Sequence, residues 1–79
     1  MNRQAIIGMS IVTAFHQRSW TPGTDIEECL HDFRGIETQA YHNLDWAGLP
    51  DAVIFDYDIA QAIWGLDREQ FESIKEAVE

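Results

Sequence analysis

The chain predicts an α+β fold, with a small antiparallel three-stranded sheet and two or three helices packed on one of its faces. Three observations lead there. Residues 5–15 are rich in Ile, Val and Thr, and Ile7, Met9, Ile11, Thr13 and Phe15 share one face at a period of two. A second apolar run, Ala52-Val53-Ile54-Phe55, lies between turn-forming residues and acids. The intervening and following segments carry helical spacing and capping signals.

In chain order, residues 5–15 form the first predicted strand, and Pro22 and Gly23 in "WTPGT" supply turn chemistry. Thr24-Asp25-Ile26-Glu27 fits a capping box, and Gly35 sits where the glycine after a helix belongs, which predicts a helix over 25–34. Ile26, Cys29, Leu30 and Phe33 occupy its inner face at i, i+3, i+4 and i+7. Cys29 is therefore read as a small core residue, an intermolecular disulfide being the alternative. Residues 36–44 alternate loosely and predict a second strand, "DWAGLPD" a loop, and residues 52–57 a third strand. A short helix capped by Asp58 and stopped by Gly65 follows. Asp67 with Gln70 forms a D-x-x-Q capping box, with Leu66 and Phe71 as a hydrophobic staple, for a last helix over 68–78 whose buried stripe is Phe71, Ile74 and Val78.

Seventy-nine residues make a single compact domain, 1–79. A chain this short buries only about 60% of its unfolded surface, so a homodimer that buries more fits its size. Its 46% hydrophobic residues, with three Trp, four Phe and two Tyr, suffice for a small core. The N-terminal apolar stretch, interrupted by Gly8, Ser10 and Thr13, is too short for a membrane span of about 20 residues. The single Cys29 excludes an intrachain disulfide framework and any all-cysteine metal site, and a cytosolic setting fits best.

Charge is the strongest compositional signal. Fourteen Asp and Glu against five Lys and Arg give a formal net charge of −9. Residues 45–79 hold nine acids against Arg68 and Lys75, a net of −7, and residues 1–44 supply the remaining −2. Direct nucleic-acid binding is disfavoured, because phosphate affinity comes from cations that displace counterions. A basic partner is favoured.

Asp56-Tyr57-Asp58 after an apolar run looks like the D-x-D motif of haloacid-dehalogenase-type phosphotransferases. Only 21 residues follow Asp58, Ala60 stands where Thr or Val belongs, and the remaining catalytic groups have no place. The two acids are expected to point to one side of a strand end, with Phe55 and Tyr57 on the other. "DYDIAQAIWGLD" fails as an EF-hand loop after its second acid. His16, His31 and His42 lack metal-ligand spacing, no nucleotide-binding glycine pattern occurs, and no Asp-Ser offers a carrier-protein attachment site. The chain thus predicts no enzyme, no metal and no cofactor.

On the last helix, Glu69, Glu72, Glu76 and Glu79 are spaced to form one negative ridge opposite the apolar stripe. Neighbours on such a ridge repel by a few tenths of a kcal/mol each. Helix stability alone does not select it. Asp25, Glu27, Glu28 and Asp32 form a second acidic face on the first predicted helix, where His31 follows Glu27 by four residues as a solvated partner. Trp46, between Asp45 and Gly48, is the tryptophan most expected at the surface, and aromatics beside carboxylates suit a protein interface. Asp45, Trp46, Asp56, Asp58, Glu69, Glu72, Glu76 and Glu79 are the predicted partner-binding residues.

"QAYHNLDWAGL", residues 39–49, resembles the acidic-aromatic segment of ArdA-type antirestriction proteins, which reads His-Asp-Tyr-Glu-Gly-Phe. Asp45 and Gly48 match it, Trp46 and Leu49 are similar in kind, Ala47 replaces an acid and Leu44 replaces the His. In size, acidity and lack of catalytic residues the chain is similar to the small phage-encoded anti-CRISPR proteins, in particular inhibitors of the type I-C surveillance complex. That resemblance implies a DNA mimic acting in the cytoplasm of a bacterial host. Such a protein occupies the basic DNA-binding surface of a surveillance-complex (Cascade) subunit and blocks target-DNA binding. Type I restriction-modification enzymes are the alternative target, and a non-inhibitory interaction module is the alternative class.

Overall fold

The computed structural model describes residues 2–78 and shows helices joined by short loops, with no strand among the described residues. The elements are α1 (Arg3–Gln17), α2 (Ile26–Cys29), a 3-10 turn at Leu30–Asp32, α3 (Phe33–Trp46), α4 (Asp56–Trp64) and α5 (Arg68–Val78). The expected α+β fold with a three-stranded sheet is overturned.

Residues 5–15 satisfy two templates at once, and the longer one prevails. The buried set is Ser10, Ile11, Ala14 and Phe15, spaced for a helix, whereas Met9 and Thr13 from the period-two set face solvent. Fifteen residues without proline exceed an ordinary strand and suit a helix, which runs through Gly8. Asn2 starts it, its side chain accepting a hydrogen bond from the Ala5 N–H at 2.7 Å. Residues 36–44 are likewise helical, because Phe33, Ile36, Ala40 and Leu44 form one buried stripe at i, i+3, i+7 and i+11.

The predicted helix over 25–34 had the right inner face and the wrong ends. Ile26, Cys29 and Phe33 are buried, yet Thr24 Oγ1 donates to Thr21 O and the capping box with Glu27 is not formed. Gly35 stops nothing, since α3 runs through it. A Cβ at that position would lie 2.5 Å from Cζ of Arg18, so the glycine admits that guanidinium against the helix. The chain reverses instead at Gly48 (φ 86°) and Gly65 (φ 71°), where left-handed backbone favours glycine. At the end of α1 the same reversal falls on Ser19 (φ 70°), with Ser19 N–H donating to His16 O at 2.9 Å and Trp20 N–H to Phe15 O at 3.1 Å.

Residues 52–55 are extended and do alternate, Ala52 and Ile54 inward and Val53 and Phe55 outward, as a strand would. Their partner is a side chain. The Tyr41 hydroxyl accepts from the Ile54 N–H at 2.8 Å and donates to the Ile54 carbonyl at 3.1 Å.

The core is one cluster. α1 packs most extensively on α3, and α4 packs on α1, α3 and α5. Phe71 enters from α5 and stacks on Phe33, whose other aromatic neighbour is Trp64. The last helix is as expected in position, and its capping box is formed: Gln70 N–H donates to Asp67 Oδ1 at 2.8 Å and Asp67 N–H to Gln70 Oε1 at 2.9 Å. Of its predicted stripe, Phe71 is buried and Ile74 half-buried, but Val78 is exposed because nothing in the described fold covers the final turn. No helix among the described residues is long and apolar enough to cross a membrane.

Candidate functional site

The carboxylates of "DYD" begin a helix. Asp56 and Asp58 lie in the first turn of α4, where the helix dipole favours negative charge. Asp58 Oδ2 accepts from the Phe55 N–H at 2.8 Å, and Asp56 Oδ1 from the Tyr57 N–H at 2.8 Å. The other Asp56 oxygen accepts from Lys75 Nζ at 2.9 Å, which ties α4 to α5. The expectation of a strand end with both acids on one side is corrected accordingly, and both are held within the chain.

Around them lies an aromatic patch. Phe55 stacks on Tyr57 with ring centroids 5.2 Å apart, and the Arg68 guanidinium sits 4.6 Å from the Tyr57 centroid. The α5 ridge runs outward from this patch. Glu69 and Glu76 are exposed and Glu72 is half-buried, its carboxylate 3.9 Å from Lys75. Glu79, the last member predicted for the ridge, lies outside the described residues.

The second acidic face is divided by the fold. Asp25 precedes α2 without capping it, and Asp25, Glu27 and Glu28 are exposed. Asp32 belongs to the scaffold, since Arg18 Nε donates to its Oδ2 at 2.7 Å, Arg18 Nη2 donates to Oδ1, and Trp20 Nε1 donates to Oδ2 at 2.7 Å. The Arg18 hydrogen bond, above all, holds the Asp32 carboxyl below the usual range, with the Trp20 hydrogen bond and the charges of Arg18 and His31 adding to it against partial burial. Burial, assisted by the Asp32 charge, pushes the neighbouring Cys29 thiol up to about 11.

Trp46 closes α3 and is 93% exposed, with Asp45 exposed beside it. It borders a groove shared with Ile6, Met9 and Thr13 of α1, a depression that contains none of the α5 acids. The predicted partner-binding residues therefore separate into an acidic surface on α4 and α5 and a tryptophan beside a neutral groove. Sequence reasoning missed the α1 side of that groove because it placed Met9 inside a sheet. The available signal was that residues 4–17 contain no Asp, Glu, Lys or Arg.

Among the described residues no group of His, Cys, Asp and Glu is arranged to hold a metal ion. No family model matches the chain, and no curated protein or solved structure matches it.

Proposed function

We propose that this chain is a non-catalytic acidic inhibitor that mimics DNA and competes for a basic DNA-binding surface, its target being the surveillance complex of a type I CRISPR system. One observation carries the reading: three of the five cations are held in ion pairs within the chain while acids of two helical segments project to solvent. Arg3, Arg18 and Lys75 are paired with Asp51, Asp32 and Asp56, Arg68 lies over the Tyr57 ring and Arg34 is exposed, whereas Glu69 and Glu76 on α5 and Asp25, Glu27 and Glu28 at α2 are exposed and make no ion pair among the described residues. The outward field is thus negative over much of the surface. B-DNA carries one charge per about 1.7 Å of axis, and carboxylates one helical turn apart compete for the same Lys and Arg groups. Such encounters are fast and weaken with salt.

The test is target-DNA binding by a purified type I-C complex with and without the protein, at low and high salt. Blocked binding that recovers with added salt supports charge mimicry. Combining Glu69→Gln, Glu72→Gln and Glu76→Gln should then relieve inhibition while the fold is retained, and full activity of that triple variant removes α5 from the mechanism. Inhibition confined to a type I restriction methyltransferase keeps the mimicry and changes the target. A second reading, a non-inhibitory interaction module, is favoured by the exposure of Trp46. Partner binding that is insensitive to salt and lost on Trp46→Ala selects it.

A further inference from the structure

Two helices end at one cleft. The last turns of α1 and α4, with Phe15 and His16 from the first and Ile63 and Trp64 from the second, face the loop from Pro22 to Asp25 across a cavity of about 400 Å³. Small-molecule sites occupy about 300–1,000 Å³. The loop wall is fixed in place, because the Trp64 indole N–H donates to the Thr24 carbonyl at 2.8 Å. The Thr24 N–H and hydroxyl both donate to the Thr21 carbonyl, at 3.2 and 2.8 Å. The cleft is therefore formed before anything enters it.

Its electrostatics favour one sign of charge. Asp25, on the loop wall, is exposed, bonds no backbone N–H of α2 and makes no ion pair among the described residues. Carboxylates at other hollows are already answered, Asp56 by Lys75 and Asp58 by the Phe55 N–H. No Lys or Arg lines the cleft, and Arg18, just beyond α1, is held by Asp32. The carbonyl ends of two helices, of 15 and 9 residues, add partial negative charge there. The opposing positive end belongs to α2, which has only four residues.

We infer that this cleft binds a small aromatic cation, a flat apolar ring bearing one protonated nitrogen. The ring packs against Pro22, Ile63 and Trp64, and the nitrogen pairs with Asp25 beside the carbonyl end of α1. A cation without a ring leaves the apolar walls uncovered, and a ring with an anion meets Asp25 and both helix ends. The inference is independent of the proposed inhibitory function, since its ligand is a free small molecule and no basic protein surface takes part.

Nitrogen-15 NMR of the full chain titrated with tryptamine, indole-3-propionate and butylammonium tests it. Tryptamine should shift the Trp64 indole N–H and the Thr24 and Ile63 amides saturably by millimolar concentration. The anionic indole and the ringless cation should each bind at least about tenfold more weakly, as loss of a charge-assisted contact or of a buried ring predicts. Asp25→Asn should weaken tryptamine by a similar factor with an otherwise unchanged spectrum, because Asp25 caps nothing. Asp25→Lys should reverse the preference toward indole-3-propionate. No shift with tryptamine, shifts confined to the Trp46 groove, equal binding of the two indoles, or an Asp25→Asn chain of unchanged affinity overturns the assignment.

Discussion

The Tyr41 hydroxyl serves both backbone groups of Ile54, accepting from its N–H at 2.8 Å and donating to its carbonyl at 3.1 Å. Ile54 is buried, so these groups have lost water as an alternative partner. One side-chain oxygen from α3 thereby does for residues 52–55 what a neighbouring strand does in a sheet. Tyr41→Phe keeps the ring and leaves a donor and an acceptor unpaired, and should lower stability by about 1–3 kcal/mol in urea unfolding. A loss below a few tenths of a kcal/mol would show that water replaces the hydroxyl.

Gly35→Ala tests a conflict between local and tertiary preference. Alanine improves an interior helical position by about 1 kcal/mol. Its Cβ would meet the Arg18 guanidinium at 2.5–2.6 Å, and that group is anchored by Asp32. The expected outcome is a net destabilisation of about 1 kcal/mol, since displacing packed groups costs about 1–3 kcal/mol. Arg18→Ala should abolish the penalty and expose the helical gain, which a double-mutant cycle measures.

Asp32 makes stability fall in acid. Its carboxyl is held below the ordinary value by Arg18, so the folded state binds its proton less readily than the unfolded chain does. The contribution is complete above the unfolded value of about 3.9 and disappears as pH falls through the lower folded value. Asp32→Asn should therefore be less stable than wild type at pH 6, with the difference shrinking below about pH 4. Thermal melts of both proteins across that range measure it.

Ser19 occupies left-handed backbone at φ 70°, a conformation that costs a residue with a Cβ about 1 kcal/mol. Ser19→Gly should raise stability by up to about that amount, whereas the same substitution at an ordinary helical position would lower it. Chemical denaturation distinguishes the two.

Cys29 is fully buried with a thiol pushed up to about 11, so little thiolate exists near neutral pH. Labelling by a disulfide exchange reagent at pH 8 should be slow in the native protein and complete once it is unfolded. Fast native labelling would show an opening of α2. The same burial removes Cys29 from any disulfide between folded copies.

Local chemistry was readable where a short run of residues carries its own hydrogen bonds. Asp67 and Gln70 cap α5 reciprocally as their spacing requires, Gly65 ends α4, and Trp46 is exposed. The acidic ridge of α5 follows from one helical period, and its exposed members are where that period puts them. By contrast, Asp56 and Asp58 were assigned to a strand end because an apolar run precedes them. Their roles depend on which groups come within reach, among them Lys75, 19 residues away.

What the sequence by itself determined is the charge, the inner face shared by Ile26, Cys29 and Phe33, the stop of α4 at Gly65 and the capping of α5, since each is a property of neighbours within one or two turns. Only the tertiary structure decided between helix and strand for residues 5–15 and 36–44, because Ile, Val and Thr fit both periods and the choice rests on what each face is packed against. It alone decided that Gly35 admits Arg18 rather than ending a helix, and that residues 52–55 pair with a tyrosine rather than with a sheet. Those outcomes depend on groups brought together from 13 to 17 residues apart, and no local pattern encodes that approach.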